Sequence, residues 1–275
     1  MPGSGDAGPA WAPLVPDADG DVVLAVDFAT TGRREATFAE LAGLLPGSLD
    51  LRQAVPPPGV PTAGGEDDRA RHHLHWWAGQ VPYGPAARPV RAVLGYCAGS
   101  VFASRLADIV ERRQGARPVL LLFDPEVPGV ASLDRDIRLA VAGMDGVSDE
   151  ERAELRHGID RIRDVTGDDF DKAAEAYVAL YREAYATALA RMGVGGHFAE
   201  QLTRLFRSYT GYLAAARHLG PGPGWASATS LLSTGRTGGR TGREIRFPVS
   251  QEDLLRDPGV IRTAYELISP KEIPG

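Results

Sequence analysis

Residues Pro89-Val-Arg-Ala-Val-Leu-Gly95 lead through Tyr96-Cys97-Ala98 into Gly99-Ser-Val-Phe-Ala-Ser-Arg-Leu-Ala-Asp-Ile-Val-Glu-Arg-Arg-Gln114. The first piece is a short apolar run with the pattern of a buried strand, and the last carries apolar residues at helical spacing. Gly95 and Gly99 flank Cys97 at the junction. Glycines there permit a sharp turn in which any side chain would strike neighbouring backbone. Such a turn lifts a nucleophile above the sheet edge and aims the following N–H, from Ala98, and the helix N-terminus at a developing oxyanion. A helix N-terminus also favours the thiolate over the thiol. The plainer reading is a small buried cysteine among glycines.

Working outward, Asp21 to Asp27 and Pro118 to Phe123 are further apolar strands, and Ser48 to Leu51 is a short one. Thr37-Phe-Ala-Glu40 is a capping box that opens a helix through Leu45. Residues 56–65 read as loop, and Asp67 to about Gln80 as helix. Alternating strands and helices predict an α/β fold with a mostly parallel sheet. The alternation stops at about Leu133. From there to Leu219 the pattern is helical, with a second capping box at Ser148 to Glu151, until Gly220-Pro-Gly-Pro-Gly224 ends it. Strand patterns return at Ala226 to Leu232 and Glu244 to Val249, before a last helix from Pro258 to Ile268. The reading is therefore a mobile N-terminal arm over 1–20 and a core over 21–129 and 223–275, with a helical lid inserted over 130–222. The Gly/Arg tract Thr234 to Arg243 is expected to be a flexible hairpin or loop.

Composition narrows the function. A chain of 275 residues with a formal net charge of −6 lacks the basic footprint of a nucleic-acid binder. No apolar run approaches the roughly 20 residues of a membrane span. The N-terminus shows no charged segment followed by an apolar one, so a cytoplasmic setting is expected. A single cysteine excludes an intramolecular disulfide and a Cys-based zinc site.

With its Gly95-x-Cys97-x-Gly99 elbow, the stretch from about Val22 to Ile268 resembles the thioesterases of nonribosomal-peptide and polyketide assembly lines, which have the α/β-hydrolase fold with an inserted lid. The resemblance implies a catalytic acid just after the strand that follows the elbow helix. Asp124, ending Leu-Leu-Leu-Phe-Asp, stands there, where a carboxylate would orient a histidine; its plainer reading is a turn cap before Pro125. The resemblance also implies substrates presented on the phosphopantetheine arm of an acyl or peptidyl carrier protein; no cofactor of its own is expected, and charge and hydropathy already argue against a nucleic-acid or membrane partner. Two departures stand out. The family histidine sits in a His-x-x-Leu-Leu setting, where this chain has Gln251-Glu-Asp-Leu-Leu255. The family loop after the first strand, commonly His-Pro/Ala-Gly-Gly, is here Val26-Asp-Phe-Ala-Thr-Thr-Gly32, so its oxyanion N–H would come from near Phe28 or Ala29. On this alignment Gln251 faces Cys97 and Asp124, and Gln251→His would restore a base.

Other histidines are weaker candidates. Asp68, His72 and His75 share the spacing of one helix face, yet with His73 they read as a solvated face beside Trp76-Trp77 rather than a metal site. His157, His197 and His218 fall in the helical block, as surface or capping residues or as a substitute base. A serine without a base is nearly inert, whereas a cysteine is a few per cent thiolate at neutral pH. Thioester exchange needs little proton transfer and hydrolysis needs activated water, so loss of the base penalises hydrolysis more. Two readings follow: an acyltransferase that loads Cys97 from a carrier thioester, or a degenerate thioesterase kept as a binding or scaffold partner.

Overall fold

The computed structural model describes residues 8–28, 34–45, 49–58, 66–84, 86–193 and 196–269. Continuous apolar runs become the centre of a sheet buried on both faces. All five residues of β2 (Val22–Val26) are buried, as are six of the seven in β4 (Val90–Tyr96). Around them run β1 (Trp11–Pro13), β3 (Asp50–Ala54), β5 (Val119–Phe123), β6 (Thr229–Leu232) and β7 (Arg243–Arg246), in the order β1-β3-β2-β4-β5-β6-β7. Every neighbouring pair is parallel except β1 with β3. The pairings Val26 with Gly95, Tyr96 with Phe123 and Phe123 with Leu231 align the carboxyl ends of β2, β4, β5 and β6. Ligands of open α/β sheets bind at that edge.

The helices of this part are α1 (Phe38–Leu44), α2 (Glu66–Gly79), α3 (Gly99–Gln114) and, at the end of the chain, α8 (Pro258–Ile268). The first capping box forms: the Thr37 N–H donates to Glu40 Oε2 at 2.8 Å. α8 begins where Asp257 Oδ1 accepts from the N–H groups of Gly259 and Val260 at 2.8 and 3.0 Å. Between β5 and β6 lie α4 (Val130–Ala142), α5 (Asp149–Thr166), α6 (Phe170–Arg191) and α7 (Gly196–Leu219). The chain divides into two compact units, residues 128–217 and the remainder. Within the helical unit, Tyr181 stacks on Phe206 at 4.3 Å, and Asp134, bridged to Arg138, accepts from Tyr177 Oη at 3.3 Å. Among the described residues, no helix is long and apolar enough to cross a membrane.

Three expectations change, and a fourth keeps one of its two alternatives. Trp11–Pro13 is not part of a mobile arm: Trp11 is buried, and its indole N–H donates to the Trp77 carbonyl at 3.0 Å. β3 runs past its expected end at Leu51 to Ala54, while Ser48 lies outside the described residues; its polar residues are accommodated because buried Asp50 receives both Arg52 (3.0 and 2.6 Å) and Arg88. Of the hairpin and the loop expected for the Gly/Arg tract, the structure has the loop, because the tract joins two parallel strands. It is tied down by Trp225 Nε1 to the Gly239 carbonyl at 2.9 Å and by the Thr234 N–H to the Val249 carbonyl at 2.9 Å. His73 lies within the fold against Trp77 and Phe102, 5.4 and 5.5 Å between ring centroids.

Candidate active site

Cys97 directly follows β4 with φ of +48°, a left-handed conformation that costs an L-residue roughly 1–2 kcal/mol. The surrounding bonds hold it there. Its N–H donates to the Phe123 carbonyl at 2.9 Å, and its own carbonyl accepts from the N–H groups of Ser100 at 3.1 Å and Glu126 at 3.2 Å. Gly95 is required by close approach: a Cβ there would lie 2.5 Å from Ser100 Cα and 2.8 Å from Ala103 Cβ. This lets the first turn of α3 press against β4, with buried Gly99 as its first residue. Ala98 is the N-cap, and among the described residues no acceptor takes its N–H. Phe28 is buried just beyond β2 at the same sheet edge. Ala29 lies outside the described residues.

Asp124, one residue past β5, is fully buried and also left-handed, with φ of +44°. Its carboxylate is not turned to a histidine. Ser233, directly after β6, donates its N–H to Oδ1 at 2.8 Å and its hydroxyl to Oδ2 at 2.5 Å. Burial pushes the Asp124 carboxyl above the usual carboxylate range, outweighing the Ser233 bonds and the Arg236 charge that pull it down.

A second carboxylate stands beside the thiol. Cys97 Sγ lies 3.6 Å from Glu126 Oε2, and Arg236 Nη2 donates to that same oxygen at 2.8 Å. Burial disfavours the Arg236 charge, but Glu126, Cys97 and Asp124 outweigh it and hold the pKa above the ordinary arginine value. Gln251 is tied to the elbow strand through its backbone: the Tyr96 hydroxyl donates to its carbonyl at 3.4 Å. Among the described residues, the Gln251 side chain makes no hydrogen bond to Asp124 or Cys97.

No protein-family model matches the sequence, and no curated protein does. Solved structures do. The Vlm2 thioesterase domain with genetically encoded 2,3-diaminopropionic acid bound with a dodecadepsipeptide superposes with a TM-score of 0.52 at 17% identity, over 94% of this chain and 96% of that one. This chain has the α/β-hydrolase fold. The NocB thioesterase domain, in covalent complex with a fluorophosphonate nocardicin G analog, gives 0.45 at 17% identity over 94% and 97% of the two chains. The RedJ thioesterase of the prodiginine pathway of Streptomyces coelicolor gives 0.44 at 16% identity over 95% and 94%.

On this α/β-hydrolase sheet the expected elbow and acid occupy neighbouring strand ends, but the hydrogen-bonded partners around them differ from the expectation. Ser233, Glu126 and Arg236 are residues that sequence reading passes over. Each follows β5 or β6 at the edge where Cys97 stands, and that shared edge is the one signal for them. None of the six histidines hydrogen-bonds Asp124. His218 pairs with Asp67 of α2, His197 bonds Gln201, and His157 is exposed in the helical unit. Among the described residues, no three of His, Cys, Asp and Glu are grouped to hold a metal.

The sheltered Asp124 gives a stability prediction. Asp124→Asn tolerates the left-handed backbone and still accepts the Ser233 N–H, so it is expected to cost little at pH 7. Asp124→Ala orphans that buried donor and is expected to lose about 1–3 kcal/mol. Because the folded-state pKa is raised, the carboxyl's contribution is full below its unfolded pKa and declines as pH rises through the folded one. Wild type should therefore lose stability relative to Asp124→Asn between acid and neutral pH, as read by urea melts. A difference that stays flat with pH would contradict a buried, ionising Asp124.

Proposed function

We propose that this protein is a thioester acyltransferase. Cys97 accepts an acyl or aminoacyl group from the phosphopantetheine thioester of an acyl or peptidyl carrier protein and hands it to an acceptor, with water a slow one. The carrying observation is Cys97 held left-handed on a strand–helix turn while the Asp124 carboxylate is taken by Ser233 instead of a histidine. The sequence resemblance to assembly-line thioesterases supports the carrier-bound substrate. By its place in the chain, after β5, the helical block is the lid insertion in this reading.

The chemistry follows from the nucleophile. The Cys97 sulfur gives up its proton as it attacks the thioester carbonyl carbon, forming a C–Sγ bond and placing the carbonyl pair on oxygen, where the Ala98 N–H is a donor. Collapse breaks the bond to the arm sulfur, which leaves with the electron pair and takes up a proton. An acceptor then attacks acyl-Cys97, loses its proton and releases the Cys97 sulfur. Water is the poorest acceptor because it most needs a strong base. The competing reading, a degenerate scaffold partner, draws on the same capture of Asp124 and requires Cys97 to be unreactive.

Chasing acyl-Cys97, formed from an acyl-pantetheine thioester, with a thiol, an amine or buffer alone tests the proposal. Turnover by thiol or amine should clearly exceed hydrolysis; hydrolysis at the same rate as transfer contradicts it. With Asp124 already bonded, Gln251→His alone is expected to raise hydrolysis far less than the roughly 10²-fold that a positioned base supplies. A full rise of that size would put residue 251 in working reach of the nucleophile.

A further inference from the structure

We infer that Glu126 is the proton carrier of the Cys97 reaction and that Arg236, by its ion pair with Glu126, restricts the acceptor to amines and thiols. This rests on the acyl-transfer reading. The Glu126 carboxylate faces the Cys97 thiol at 3.6 Å, the Arg236 guanidinium at 2.8 Å and, through space, the Asp124 carboxyl. Its loop is fixed to the elbow by its own N–H on the Cys97 carbonyl at 3.2 Å. Glu126 and Arg236 are 19% and 25% exposed, sheltered enough to interact strongly but open to a substrate.

The proton path balances over the whole cycle. As Sγ attacks the carrier thioester, its proton passes to Glu126 Oε2. When the intermediate collapses, that proton goes to the departing arm sulfur, and Glu126 is a carboxylate again. An incoming amine or thiol adds to acyl-Cys97, gives its surplus proton to Glu126, and Glu126 returns it to the released Cys97 sulfur. An ordinary glutamate, near pKa 4.3, is a weaker base than an imidazole near 6.5, and here Arg236 already donates to one of its oxygens. It can take the acidic proton of an amine adduct or assist a thiol, but it activates water poorly. A missing histidine and a slow hydrolysis step then have one cause.

The test compares wild type, Glu126→Gln and Glu126→Asp in two assays. In the first, acyl-Cys97 is formed from an acyl-N-acetylcysteamine thioester and chased with glycinamide, N-acetylcysteamine or buffer. Glu126→Gln should slow transfer to glycinamide by about 10²-fold, while transfer to the thiol falls less. In the second, iodoacetamide alkylates Cys97 across pH. Removing the anion while Arg236 stays should shift alkylation to lower pH and make it faster at pH 7. Slower transfer with faster alkylation is a combination that mere structural damage does not produce. Where Glu126→Gln fails to fold, Glu126→Asp should show slower transfer with alkylation undiminished. Transfer within twofold of wild type in a folded variant overturns the inference, as does alkylation that falls in step with transfer. Wild-type protein that forms no acyl-Cys97 overturns the acyl-transfer reading and the acceptor restriction with it, whereas the alkylation arm decides independently whether Glu126 and Cys97 share a proton.

Discussion

Cys97→Ser is expected to lose at least about 10³-fold in acyl transfer, within the range that general-base assistance supplies, while folding normally. The substitution is nearly isosteric, and a serine elbow works where a histidine takes the hydroxyl proton. Here the group facing the nucleophile is Glu126, already engaged by Arg236. A carboxylate can share a thiol's proton but is far too weak to ionise a hydroxyl, so the oxygen stays protonated and inert. The measurement is kcat/KM with a pantetheine thioester, alongside a circular dichroism spectrum matching wild type. Serine activity within tenfold of wild type would mean that a stronger base reaches the elbow.

Gly95→Ala is the other large effect, and it acts on structure first. Its Cβ would sit 2.5 Å from Ser100 Cα, 2.8 Å from Ala103 Cβ and 2.9 Å from Ser100 N. Backbone and a β-carbon cannot swing aside as a long side chain does, so the first turn of α3 must retreat from β4. Overpacking of this kind costs about 1–3 kcal/mol, and this site belongs at the upper end. The retreat also moves the Ala98 N–H and the Ser100 N–H that fixes the Cys97 carbonyl. A lower urea midpoint should therefore come with reduced acylation of Cys97 in the protein that remains folded. Loss of stability with unchanged acylation would separate the packing from the chemistry.

The elbow is legible in the sequence because its information is local: an apolar run, two glycines about a cysteine, and a helix pattern lie within one stretch. The Asp124 position is nearly as legible, ending its own apolar strand. Ser233 and Arg236 are not, because what places them near Cys97 is the order of β4, β5 and β6 in the sheet. Glu126 and Arg236 meet across 110 residues of chain, and Arg236 sits in a Gly-rich tract whose composition suggests only a spacer. Gln251 shows the limit of alignment by motif. The Leu254-Leu255 that identifies its setting is buried. The hydrogen bonds of Asp124 go to Ser233, which the motif alone does not reveal. Trp11 and His73 mislead for a simpler reason: one aromatic in a polar arm, or one histidine among three, gives no periodicity, and the contacts that shelter them, Trp77 for Trp11 and Phe102 of the next helix for His73, are made across the fold.

The account depends above all on Cys97 becoming acylated. The direct measurement is intact-protein mass spectrometry after brief incubation with an acyl-pantetheine thioester at pH 7, with peptide mapping of any adduct. The predicted result is a single acyl increment on the peptide containing Cys97, lost faster to an added amine or thiol than to buffer. A folded protein that leaves Cys97 unmodified, or carries the acyl group on another residue, would contradict the account.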